Sequence, residues 1–270
     1  MIVSILGCGW YGKALAKSLT EKGTTVKGSA TSPGKLEQLN LSGIDPYLVQ
    51  FKADKTSYNP AFFNCDVLII SIPPKARQGE AAEYLPKIKN IISAILQHEI
   101  RKVIYVSSTA VYSDSNKEVS ELDPPEPDTE TGKILFDAEK LFESQTLFKT
   151  TIIRFAGLVG PGRHPGRFFA GKKNLPNGQA PVNLIHLDDC TGITIAVIEK
   201  DAFGVVLNAG SPHHPPKAEF YTNATAKAGL EIPEFINELK SWKLISSNLL
   251  TDVLNYEFKF GKWNDCAFND

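Results

Sequence analysis

Near the start of the chain, Gly7-Cys8-Gly9-Trp10-Tyr11-Gly12 follows the apolar run Ile2-Val3-Ser4-Ile5-Leu6 and precedes a helix-like stretch over residues 13–19. Three glycines at this spacing suit one kind of chemistry, the holding of a pyrophosphate. The first permits a tight strand-to-helix turn, the second lets backbone N–H groups approach the phosphates, and the third lets the helix pack on the strand. The phosphates then sit at the positive end of a helix. Gly7, Gly9, Trp10, Tyr11 and Gly12 are therefore the expected dinucleotide-binding residues. At the end of the second strand an acid would hold the adenosine ribose of NAD, and an Arg the 2′-phosphate of NADP. The chain has neither, reading Ser29-Ala30-Thr31-Ser32-Pro33-Gly34-Lys35. Hydroxyls at Ser29, Thr31 and Ser32, with Lys35 close by, suit a 2′-phosphate, so NADP is expected in preference to NAD.

Charge is distributed unevenly. Residues 144–187 contain no Asp or Glu but six cations: Lys149, Arg154, Arg163, Arg167, Lys172 and Lys173. Residues 114–143 carry ten acids against three lysines. The two patches could pair with each other. Alternatively Arg163 and Arg167, which bind carboxylate or phosphate bidentately, anchor a small anionic substrate such as a phosphorylated or nucleotide-linked sugar. His186 has a side chain that titrates near neutral pH. Asp188 and Asp189 read as N-caps of a helix over residues 191–199. His213 and His214, among Pro212, Pro215 and Pro216, read as a solvated loop. Cys8, Cys65, Cys190 and Cys266 form no C-x-x-C pair, which suggests reduced, buried thiols and no metal site.

Residues with these roles need a scaffold, and the hydrophobic pattern supplies one. Apolar strand-like runs at Thr25–Ala30, 47–51, 67–72, 103–106, 151–155 and 205–208 alternate with helical segments. Residues 81–98 place Leu85, Ile88, Ile91, Ile92 and Ile95 at helical spacing, and residues 133–143 do the same with Leu135, Ala138, Leu141 and Phe142. Alternation of this kind predicts an α/β, Rossmann-type doubly wound parallel sheet. Beyond Phe155 the pattern loosens into Gly- and Pro-rich loops. The expected division is a dinucleotide-binding domain over residues 1–155 and a smaller substrate lobe over 156–270, with strand 205–208 returning to the main sheet. With 29 basic against 30 acidic residues, nothing favours nucleic acid or a membrane surface. The chain shows neither a charged signal-peptide start nor a run of about 20 apolar residues, so a cytoplasmic location is expected.

Three further segments, Val106-Ser107-Ser108-Thr109-Ala110-Val111-Tyr112, residues 154–163 and Ile185-His186-Leu187-Asp188-Asp189, join the glycine turn in order. Together they resemble the extended short-chain dehydrogenase/reductase superfamily, the NAD(P)-dependent epimerases and dehydratases, over about residues 1–200, and the tail through Leu254 looks like that family's last helix. The resemblance implies an oxidoreductase or epimerase working with a Tyr and a Lys one helical turn apart, the Tyr exchanging a proton with substrate oxygen. Aligning Glu139 with the family's usual glutamate puts Thr131 and Leu135 in those places. Lys133 is about 200° round the helix from Thr131 and is no substitute, and no Tyr lies between Tyr112 and Tyr221. This is the pattern of an atypical branch. Ser108 matches the Ser/Thr that binds the reacting oxygen, and Tyr112 is the candidate to take over proton transfer. The resemblance also sets His186 beside the substrate lobe, places Asp54 near the adenine, and implies homodimers through a helix pair. Gly157 stands where the nucleotide-sugar enzymes usually carry Asn. Two functions follow: an NAD(P)-dependent enzyme with a displaced acid–base group, or a non-catalytic NAD(P)-binding sensor or scaffold.

Overall fold

The computed structural model describes residues 1–74 and 79–263; Cys266 lies outside them. The strands are β1 (Ile2–Leu6), β2 (Thr25–Ala30), β3 (Asp45–Phe51), β4 (Thr56–Tyr58), β5 (Val67–Ile70), β6 (Lys102–Ser108), β7 (Lys117–Val119), β8 (Lys149–Phe155), β9 (Gly157–Val159), β10 (Leu184–His186), β11 (Val206–Ala209) and β12 (Lys243–Ile245). The helices are α1 (Trp10–Glu21), α2 (Pro33–Asn40), α3 (Ala81–Gln97), α4 (Glu130–Glu143), α5 (Leu187–Glu199), α6 (Lys217–Lys227) and α7 (Asn248–Leu254). Among the described residues eight strands make one sheet in the order β11-β8-β6-β5-β1-β2-β3-β4. All its pairings are parallel except β3 with β4. The expected doubly wound sheet is present, and its order reverses at β1, where a crevice opens beyond the strands' carboxyl ends.

Burial on both faces explains the near-continuous apolar strands. On one face α1 and α5 pack together through Leu15, Leu19, Ile193 and Val197 in a shared core with β1 and β8. On the other, α3 and α4 cover β5 and β6 through Ile88, Ile91, Ile95, Ala138 and Phe142. The stripe on α3 is centred slightly differently from expectation: Tyr84 is fully buried and Leu85 only partly. Helix α4 starts at Glu130, three residues before the periodic run, because the Thr129 hydroxyl caps it by accepting from Gly132 N at 3.1 Å. The short pairs β9–β10 and β7–β12 lie outside the main sheet. Both α5 and β11 return to the sheet layer from beyond residue 155. No helix among the described residues is long and apolar enough to cross a membrane.

Two local readings need correction. The cap of α5 is His186, whose Nδ1 accepts from Asp188 N at 3.2 Å; Asp188 and Asp189 stand in the first turn. Asp189 is fully buried and accepts from Lys259 N, Phe260 N and the Tyr256 hydroxyl, tying the last described segment to this helix. The sequence-derived view of Asp189 as a cap failed because its partners lie some seventy residues away. The His213–His214 loop is covered: His213 takes both N–H groups of Trp263, and His214 Nδ1 lies 2.9 Å from the Val182 carbonyl. Finally, the acidic and basic segments meet mainly at one buried pair, Glu139 with Arg154 at 2.7 Å.

Burial lowers the pKa of His186 and of His214, so both stay neutral in the folded protein. Below the ordinary imidazole pKa of about 6.5 the unfolded chain binds protons that the native state does not. Stability is therefore complete above that value and falls as the pH drops through the folded pKa values. We expect the melting temperature to decline as the pH falls below about 6.5, and His186→Asn, which keeps a capping acceptor, to flatten that decline. Equal slopes for the two proteins would refute the assignment.

Candidate functional site

The glycine turn is shaped by contacts that leave little choice of residue. Gly7 sits at φ +106°, and a Cβ there would lie 2.5 Å from the Ser71 carbonyl oxygen. A Cβ on Gly12 would lie 2.5 Å from the Gly7 carbonyl oxygen, the close approach of helix to turn that the spacing requires. Gly9 is different. It caps α1 with ordinary negative φ, and a Cβ there would meet nothing within 4 Å. The turn is fastened to β2 by Gly7 N donating to Ser29 Oγ at 2.8 Å and Cys8 N to the Ser29 carbonyl at 3.3 Å. Ser29 is buried and its hydroxyl oxygen is engaged by the turn, while the residue also lines the space beside it. Burial also pushes the Cys8 thiol up to about 12, leaving it protonated and unreactive.

Two cavities flank this turn and share Gly7, Gly9, Ser71, Ile72 and Pro73, making one cleft across the ends of β1, β5 and β6. The first, about 280 Å³, is lined by Thr31, Lys13, Lys35 and Lys87 over an apolar floor of Leu39, Val49 and Phe51, with no carboxylate among its described lining. Ser32 stands at the N-cap of α2 and is not part of the lining. Asp54 stands exposed in the tight turn between β3 and β4, where Lys52 N bonds the Lys55 carbonyl, and it too is not part of the lining. Lys13 and Lys87 were not singled out in the sequence. Lys13 directly follows the last glycine and was open to notice, whereas Lys87 arrives from α3 and carries no local signal.

The second cavity, about 470 Å³, is lined by Trp10, Val106, Leu135, Phe155 and Leu158, by the hydroxyls of Ser108 and Thr131, and by Arg163. Thr131 and Leu135 hold the wall where the resemblance expects Tyr and Lys, while Lys133 is exposed. Ser108 Oγ accepts from Ala110 N at 3.2 Å, and its own proton has no acceptor among the described residues. The loop carrying Arg163 closes over the glycine turn: Trp10 Nε1 donates to the Pro161 carbonyl at 2.7 Å, and the guanidinium lies 4.4 Å from the indole centroid. Arg163 has no carboxylate partner among the described residues.

The remaining candidates stand elsewhere. Tyr112 is buried away from this lining. Its hydroxyl accepts from Arg154 Nη1 at 2.6 Å and is shared between the Ser120 carbonyl and Asn208 Oδ1, and burial raises its pKa. Every hydrogen-bonding direction of that oxygen is used, so the structure does not bring Tyr112 to the reacting centre. Arg167 ends the turn Pro165–Arg167, outside the cavity lining. His186 is buried at its cap with its ring 3.8 Å from that of Phe260, and does not face the cleft. Ser107, unremarked in the sequence, both lines the cavity and donates to Glu139 Oε1, so the cleft wall is joined to the buried Glu139–Arg154 pair.

Comparison with known proteins agrees with this geometry. A family model described as NAD(P)H-binding matches residues 7–184. The chain is 37% identical over 264 residues to Protein YeeZ of Escherichia coli K12, covering 96% of each chain. Among solved structures it is similar to a functionally unknown conserved protein from Silicibacter pomeroyi, with TM-score 0.79 and 22% identity over 97% of this chain and 94% of that one. It is also similar to UDP-glucuronic acid 4-epimerase from Bacillus cereus in complex with NAD, with TM-score 0.78 and 18% identity over 96% and 94%.

Proposed function

From the premise that the chain belongs to the NAD(P)H-binding family, we propose that its cleft binds NADP in preference to NAD and serves an oxidoreductase or epimerase-like reaction on a small anionic substrate. The observation that carries this reading is the open space at Gly9, at the N-terminus of α1, in a cleft whose described lining holds no carboxylate. A pyrophosphate fits there, against free helix N–H groups and the positive end of the helix dipole. Thr31, Lys13, Lys35 and Lys87 suit a 2′-phosphate at the adenosine end. When bound, the nicotinamide supplies the hydride acceptor or donor. Ser108 donates its unpartnered O–H to the substrate oxygen, and Arg163 holds the anionic group. With Thr131 and Leu135 in place of Tyr and Lys, protons pass to or from water along the Ser108 and Thr131 hydroxyls. Turnover then forgoes the roughly 10²–10⁴-fold that a positioned acid or base contributes.

A second reading, a sensor or scaffold that binds NAD(P)H without turnover, is favoured by one observation: no described side chain lining the second cavity titrates near neutral pH. Fluorescence titration of stripped protein with NADPH and NADH tests the shared premise. We expect NADPH to bind about tenfold more tightly, the effect of one charge-assisted phosphate contact, and Lys35→Glu to erase that preference. No binding of either at millimolar concentration would end both readings. Steady consumption of bound NADPH by a carbonyl substrate would then decide for the enzyme.

A further inference from the structure

We infer that the second cavity selects a largely apolar carbonyl or hydroxy compound bearing one anionic group, such as an aryl or branched-alkyl carboxylate, and discriminates against sugars and sugar nucleotides. The inference rests on the NAD(P)H-binding reading of the cleft and adds the class of substrate. It is carried by the chemistry of the wall. Val106, Leu135, Phe155 and Leu158 face the space with the indole of Trp10, and Arg163 is the one charged side chain of the described lining. Among those residues there is no carboxylate, carboxamide or imidazole. Ser107 has already committed its proton to Glu139, so the hydroxyls of Ser71, Ser108 and Thr131 are the polar side-chain groups left to meet a ligand.

A sugar ring carries several hydroxyls, each of which donates as well as accepts. Burying one without a partner costs roughly tenfold in affinity, and the losses multiply. Ser71, Ser108 and Thr131 offer three hydroxyls, enough for a reacting oxygen and too few for the many donors and acceptors of a polyol. An apolar body gains instead from every wall atom it covers. The anionic group is called for by Arg163, which lines the cavity with its guanidinium 4.4 Å from the Trp10 ring centroid and no carboxylate partner among the described residues. A guanidinium carries N–H donors in a fork that matches a planar carboxylate.

The test uses the full chain, first titrated to saturation with NADPH, then examined by calorimetry with trans-cinnamate, cinnamamide, glucuronate and UDP-glucose as probes. We expect saturable binding of cinnamate, at least about tenfold weaker binding of the isosteric but neutral cinnamamide, the worth of a charge-assisted pair, and weaker binding still of glucuronate and UDP-glucose. In Arg163→Gln, whose melting temperature reports that the fold persists, cinnamate should fall to the level of cinnamamide. Tighter binding of glucuronate or UDP-glucose than of cinnamate overturns the inference, as does failure of cinnamate to bind at millimolar concentration or equal affinity for acid and amide. Failure of NADPH to bind, seen in the first titration, overturns the underlying reading and the inference with it.

Discussion

Gly9→Asp is expected to abolish NADPH binding while leaving the protein as stable as before or slightly more so. The two halves of that result have one cause. The position caps α1, has a φ of −81° that any residue adopts, and faces open space, so a Cβ there meets no atom within 4 Å. Asp is among the best capping residues, gains a few tenths of a kcal/mol over Gly there, and gains about 0.3–1 kcal/mol more from the helix dipole. The melting temperature should therefore stay put or rise by about 1–3 °C. The same carboxylate occupies the pyrophosphate's place and repels it, and like charges in contact cost several kcal/mol, or more than about 100-fold in affinity. Titration and thermal melting on one sample check both halves. Wild-type affinity in this variant would mean that the turn does not hold the pyrophosphate.

Glu139→Ala is expected to be the most destabilising single change in the cleft wall, by about 3–5 kcal/mol, the usual consequence of orphaning one member of a buried ion pair. Glu139 is fully buried on α4; its carboxylate receives Nε and Nη2 of Arg154 and the Ser107 hydroxyl. Without it, a guanidinium 4% exposed keeps, among the described residues, the Tyr112 oxygen as its hydrogen-bond partner. For a chain of this length the melting temperature should fall by about 10 °C. The double variant Glu139→Leu, Arg154→Met should recover most of the loss, because apolar replacement of a whole buried pair is often neutral. Lys140→Ala next door, where the ion pair with Asp137 is half-exposed, should change stability by less than about 0.5 kcal/mol. A shift below about 2 °C in Glu139→Ala would show that the pair is not what fixes α4 to the sheet.

Much of the scaffold was legible because it rests on local periodicity. The strand predicted over Thr25–Ala30 has those same bounds, and the run of five isoleucine and leucine positions in α3 marks its buried face to within a residue. The glycine turn was legible for a related reason: strand, turn and helix are contiguous, so the whole motif is written in one stretch. What escaped was long-range. The three-residue strands β7 and β12 are too short to alternate visibly, and each exists only because the other lies beside it. Lys87 joins the first cavity from a helix more than fifty residues beyond Thr31 and Lys35. Tyr112 and Arg154 have types suited to catalysis, and only the tertiary structure reveals that they spend their polar atoms on each other and on Glu139. Thr131 and Leu135, by contrast, are reached by counting along one helix from Glu139, and both line the second cavity.

The return of α5 and β11 to the main sheet has a consequence for how the molecule is made. The apolar face of α1 is covered by α5, which lies far later in the chain, and the outer edge of β8 is paired by β11. Until those later segments emerge, the nascent chain carries an uncovered hydrophobic helix face and an open strand edge, the two surfaces most prone to faulty association. Its contacts are dominated by partners far apart in sequence, which makes closure slow. Yield in cells should thus respond more to chaperone supply and translation speed than the stability of the finished protein would suggest.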